Sequence, residues 1–116
     1  MSEVIIALGS NTLQSAHIQW ASQALTAILG DIRTSRVIWT QDVKGRGLWF
    51  MNRLMTGHTT LPKEVLEQQL KDLERKTGRS RESVTIDLDL MQYDNRRQHL
   101  QDWSRPYIQQ LLPDIF

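Results

Sequence analysis

Asp87 and Asp89 stand two residues apart in the apolar run Thr85-Ile86-Asp87-Leu88-Asp89-Leu90-Met91. In a strand that spacing directs both carboxylates to one face. Val84, Ile86, Leu88 and Leu90 then fall on the other face and read as core. Two like charges so placed repel by roughly 1–3 kcal/mol at a surface-like effective dielectric, and a divalent cation turns that repulsion into attraction. The chain has no cysteine and three histidines. Its hard oxygen ligands therefore favour Mg²⁺ over zinc, and Mg²⁺ held by one or two carboxylates usually arrives with a phosphate-bearing substrate. The competing account is an exposed edge strand decorated with solvated acids.

The rest of the chain must position that pair. Its 116 residues suffice for one domain, residues 1–116, with a single core. Fourteen basic against 13 acidic residues give a net charge of +1, which speaks against a broad nucleic-acid surface or electrostatic adhesion to a membrane. Without cysteine there are no disulfides and no thiol nucleophile, which suits a reducing compartment. No apolar run reaches spanning length, and Met1-Ser2-Glu3-Val4-Ile5-Ile6 lacks the basic start of a signal peptide. A cytoplasmic protein is expected.

Val4-Ile5-Ile6-Ala7-Leu8 reads as a central strand covered on both faces and stops at Gly9-Ser10-Asn11. Ile18, Ala21, Leu25 and Ile28 form one helical stripe, with Gly30 as its expected C-cap. Arg36-Val37-Ile38-Trp39-Thr40 and the segment Leu48 to His58 read as two strands of a hairpin joined by a polar loop from Gln41 to Gly47. Across that hairpin Trp39 and Trp49 are expected to pair, whereas the four tryptophans together form no stacking platform. Pro62 opens a second helix with Val65, Leu66, Leu70 and Leu73 on its buried stripe, and Gly78 sits where a C′ residue belongs. The aspartate strand follows, then a turn at Tyr93-Asp94-Asn95-Arg96 and a short last helix from Pro106 to Leu112.

That order predicts an α+β fold of the ferredoxin-like βαββαβ kind, with a four-stranded antiparallel sheet and a short C-terminal helix. Right-handed crossovers would place the first and last strands side by side in the centre. Such an architecture hosts many unrelated functions and names none.

Ala7-Leu8-Gly9-Ser10-Asn11, Phe50-Met51-Asn52, Leu73-Glu74 with Gly78-Arg79, and Ile86-Asp87-Leu88-Asp89-Leu90 together resemble the 6-hydroxymethyl-7,8-dihydropterin pyrophosphokinase family in order and spacing across nearly the whole chain. The resemblance implies a βαββαβ core and the transfer of pyrophosphate from ATP to the hydroxymethyl group of a reduced pterin, releasing AMP in folate synthesis. It implies that Asp87 and Asp89 coordinate two Mg²⁺ ions between ATP and the pterin hydroxyl, with Arg79 also in the catalytic set. Transfer of this type relies on metal ions to neutralise charge and align oxygens. Asn52 takes the place of the amide that reads the pterin edge, although a satisfied polar residue in a strand would look the same. Phe50 and Tyr107 take the places of the two rings that hold the pterin, against an alternative of ordinary core packing. Thr40 and Val43 fall on the pocket-edge segment, where Gln41-Asp42 replace the family's prolines. Glu74, Arg79, Arg81 and Arg105 fall on the nucleotide side. Read without the resemblance, Lys71, Arg75, Lys76 and Arg81 are an exposed basic face partnered by Glu67, Asp72 and Glu74.

Two departures bear on activity. The basic, tryptophan-containing loop that the family carries before the paired aspartates shrinks here to Ser80-Arg81-Glu82-Ser83-Val84, and Val84 occupies the place of an arginine. Loop closure excludes water and brings cations to the phosphates. The connection to the tail is also shortened, and His99 is a poor counterpart for the family's His-Tyr pair. Three readings stay open: a reduced but working pyrophosphokinase, a degenerate relative that binds pterin or nucleotide without turnover, and a ferredoxin-like interaction domain with no metal.

Overall fold

In a computed structural model describing residues 1–42, 45 and 47–116, ten elements follow one another. They are β1 (Ser2–Ser10), α1 (Gln14–Thr26), β2 (Gly30–Thr34), β3 (Ile38–Gln41), β4 (Trp49–Thr59), α2 (Lys63–Lys76), β5 (Asp87–Tyr93), β6 (Arg96–Arg97), a 3₁₀ turn (Leu100–Asp102) and α3 (Pro106–Ile115).

The strands make one sheet in the order β2-β4-β1-β5-β6, with β3 also on β4. Pairing is antiparallel throughout. The sheet has six strands rather than the expected four. One reason lies at Ser35, where the edge strand breaks into β2 and β3. The Ser35 N–H donates to the Leu54 carbonyl at 2.9 Å, and the Ser35 hydroxyl accepts the Leu54 N–H at 2.8 Å. A side chain thus completes the ladder where the backbone leaves it. The other reason is β6, two residues folded back on β5 beyond Asp94, whose φ is 54°.

β1 lies between β4 and β5, so the first strand and the aspartate strand are neighbours as expected. Val4, Ile5, Ile6, Ala7 and Leu8 are all buried, because helices cover both faces. On one face Ile6, Leu8, Met55, Ile86, Leu88 and Leu90 pack against Ile18, Ala21 and Leu25 of α1 and Leu66, Leu70 and Leu73 of α2. On the other, Ile5, Ala7, Leu54 and Met91 pack against Trp103 and the α3 residues Ile108, Leu111 and Ile115. Met91 follows Asp87 and Asp89 to this face by alternation, and the register shift beyond it, in which Ile6 pairs with Leu90 and Ile5 with Gln92, returns Tyr93 to the first face.

Three local expectations are corrected. α1 ends at Thr26, so Gly30 is not its cap but the first residue of β2. Val65 is 43% exposed, since Leu66, Leu70 and Leu73 already turn the adjacent stripe of α2 to the sheet. Trp39 pairs with Met51 and Trp49 with Gln41, so the two indoles are diagonal rather than opposite, and both are about half exposed. Gly78 does have the left-handed φ of 76° expected of a residue beyond a helix end.

Candidate active site

The site is built from sheet register. β1 pairs Gly9 with Asn52 of β4 on one side and with Asp87 of β5 on the other, and Ala7 pairs with Asp89. On β3, Thr40 lies opposite Phe50 and Ile38 opposite Asn52. Alternation then sends Thr40, Phe50, Asn52, Asp87 and Asp89 to the α3 face of the sheet. They border a cavity of about 220 Å³. Arg79 enters from beyond α2, and Arg105 and Tyr107 from the start of α3. Val84 also lines it, buried.

Not every candidate reaches the cavity. Glu74 lies behind β5, where its Oε2 accepts the Leu88 N–H at 2.8 Å. It therefore closes an open edge of the aspartate strand. Burial pushes its carboxyl up, against the lowering effect of that N–H, and the charge of Asp87 adds to the rise. Arg81 is exposed and does not line the cavity. Val43 lies outside the described residues.

Sequence reasoning gave no site role to several lining residues, Gly9, Asp42 and Asp102 among them. Gly9 was visible only as part of a motif; a Cβ there would stand 3.5 Å from Asn52 Oδ1 and 3.7 Å from Phe50 Cδ2, narrowing the floor. Asp42 is buried on the Thr40 side. Asp102 lies three residues before Arg105, the one local signal available for it. The opening motif also has a structural role, because Asn11 receives the Val84 N–H on Oδ1 at 3.0 Å and donates its own N–H to the Val84 carbonyl at 2.9 Å. That clasp fixes the segment leading into Asp87.

Electrostatically the cavity is acidic. Among the described residues Asp42, Asp87, Asp89 and Asp102 face Arg79 and Arg105. Arg79 Nη2 donates to Asp87 Oδ1 at 3.3 Å, and Arg105 Nε to Asp102 Oδ1 at 2.9 Å. Burial, reinforced by the charges of Asp87 and Glu74, pushes the Asp89 carboxyl up to about 7. Burial likewise raises the Tyr107 phenol to about 12, so it stays neutral. Asn52 Nδ2 donates to Thr40 Oγ1 at 2.8 Å, which fixes the amide and leaves Oδ1 toward Gly9.

A hard divalent cation fits this donor set. Asp87 and Asp89 offer oxygen donors on one face, and at Asp89 the charge of Asp87 adds to the burial that raises its carboxyl. Among the described residues no cluster of three acids or histidines forms a complete protein cage. That composition suits Mg²⁺, whose remaining positions are ordinarily filled by water and phosphate.

No helix among the described residues is long and apolar enough to cross a membrane. No curated protein matches the chain. A family match runs over residues 5–116, and the chain belongs to the 7,8-dihydro-6-hydroxymethylpterin-pyrophosphokinase family.

Proposed function

We propose that this protein transfers pyrophosphate from MgATP to 6-hydroxymethyl-7,8-dihydropterin, the reaction its family performs in folate synthesis. The observation that carries the reading is the convergence of Asp87 and Asp89 on the same cavity as Thr40, Phe50, Asn52 and Tyr107. In the reaction the pterin hydroxyl oxygen bonds to the β-phosphorus of ATP, the bond from that phosphorus to the α,β-bridging oxygen breaks, AMP leaves, and the hydroxyl proton is lost.

The lining residues divide that change among them. Asp87 and Asp89 would hold Mg²⁺, which when bound supplies charge neutralisation at the phosphates. Phe50 and Tyr107 would sandwich the flat pterin, while Asn52 and Thr40 would read its edge with an acceptor and a hydroxyl. Arg79 and Arg105 would offer forked donors to phosphate oxygens. Glu74 acts through the backbone, holding β5 in place by its bond to Leu88. Thr40, Phe50 and Asn52 sit on paired strands of the sheet, which keeps them aligned before a ligand arrives.

One observation favours binding without turnover as a second reading. The segment before β5 is a tight turn in which the Ser80 N–H donates to the Ser83 carbonyl at 2.9 Å and the Ser83 N–H to Ser80 Oγ at 3.1 Å. That turn supplies no lid, and water exclusion is part of how such sites gain rate. AMP release measured with MgATP and 6-hydroxymethyl-7,8-dihydropterin, beside an Asp87→Ala/Asp89→Ala control, separates the two. Pterin-dependent AMP that vanishes in the control supports the enzyme. Saturable binding of both ligands with no AMP above the control supports the second reading.

A further inference from the structure

The connector between β6 and α3 is short, yet it is firmly held. Trp103 is 5% exposed, its Nε1 donates to the Gln98 carbonyl at 2.9 Å, and its carbonyl accepts Gln109 Nε2 at 2.6 Å. The Arg97 guanidinium carbon lies 4.1 Å from the centroid of the indole ring. Either side of this anchor stand Asp102 and Arg105, whose backbones are tied by a bond from the Arg105 N–H to the Asp102 carbonyl at 3.1 Å. Both line the cavity. Their side chains are 25% and 34% exposed, so the pair is only partly screened.

Asp102 takes Arg105 through Nε alone, and among the described residues the two terminal Nη groups have no partner. A guanidinium held at Nε keeps its outer donors for a second anion. Arg79 is arranged otherwise, since its Nη2 is engaged by Asp87. The acidic majority around the cavity would by itself repel a polyphosphate. Among the described residues no basic loop closes over the site, and an arginine held in a fixed direction supplies positive charge there.

We infer that Asp102 is a positioning residue that holds Arg105, through its Nε, as a preformed fork for the polyphosphate of the nucleotide. The inference rests on the proposed pyrophosphokinase reading and adds to it the residue that aims Arg105.

The test is calorimetric titration of the intact protein with MgATP and, separately, with 6-hydroxymethylpterin. Asp102→Ala and Arg105→Ala are each expected to weaken MgATP about tenfold, in keeping with loss of one charge-assisted contact. The double variant is expected to be no weaker than the poorer single one, because both remove the same contact. Asp102→Asn, which still offers an oxygen to Nε, is expected to stay near the wild-type affinity. Pterin affinity is expected to be unchanged throughout, which a general loss of structure would not allow. Wild-type MgATP affinity in Asp102→Ala, a double variant showing the product of both losses, or a parallel loss of pterin binding would each overturn the inference alone. Wild-type protein that binds the pterin but not MgATP would overturn it together with the nucleotide side of the proposed function. Binding of neither ligand would overturn that function itself.

Discussion

Asp89 carries the clearest consequence of a single side chain. Its carboxyl is raised from 3.8 to about 7 in the folded protein, first by burial and then by Asp87 and Glu74. Between those values the folded chain keeps a proton that the unfolded chain has released. The stabilisation from this group is therefore complete below about pH 4 and is lost as pH rises through about 7. Asp89→Asn cannot ionise, so it should remove that decline. Urea unfolding of the ligand-free protein should show the variant close to wild type near pH 4 and more stable by about 2–4 kcal/mol near pH 8. An equal difference at both pH values would mean that Asp89 is not the group titrating. Mg²⁺ should narrow the difference at pH 8 by binding the ionised pair of the wild type. Asp87 and Asp89 were legible in the sequence as a spaced pair, and Asn52 only through the family resemblance. Glu74 was legible too, but its bond to the Leu88 N–H depends on α2 running behind an open strand edge, which no local spacing encodes.

Among the elements, β4 shows how a small residue sets a packing distance. A Cβ on Gly57 would stand 2.9 Å from the Leu29 Cβ and 3.1 Å from the Gly30 carbonyl oxygen. The link from α1 to β2 thus crosses β4 too closely for any side chain. Gly57→Val should destabilise the fold by about 2–3 kcal/mol, read as a lower urea midpoint at unchanged slope. A wild-type midpoint would show that the crossing relaxes freely. The helical stripes of α1 and α2 were readable because their burial follows a 3.6-residue period through Ile18, Ala21 and Leu25 and through Leu66, Leu70 and Leu73. The break between β2 and β3 was not, because it is decided by Ser35 finding Leu54, nineteen positions away. Gly30 misled for a related reason: a glycine after an apolar stripe signals a helix end, whereas here it is taken up by pairing with His58.

At the scale of the whole molecule, α3 does more than end the chain. Ile108, Leu111 and Ile115 cover Ile5, Ala7, Leu54 and Met91, and Arg36 fastens the helix to the sheet edge through Asp114 at 3.3 Å. Ile108→Ala should cost about 2–4 kcal/mol of stability, measured by urea unfolding. Because Tyr107 precedes it on the same helix, pterin affinity should fall as well. Unaltered stability would mean that this second layer contributes little to the core. From sequence alone the apolar periods, the shared face of Asp87 and Asp89, and the family's motif order could be read, since each is a short-range pattern in side-chain type and spacing. The tertiary structure alone decided that the sheet has six strands, that Asp42 and Asp102 join the cavity while Glu74 and Arg81 stay out of it, and that Arg105 is held by Nε. Those outcomes depend on register and on hydrogen bonds between distant segments, and such contacts form only once the chain has closed on itself.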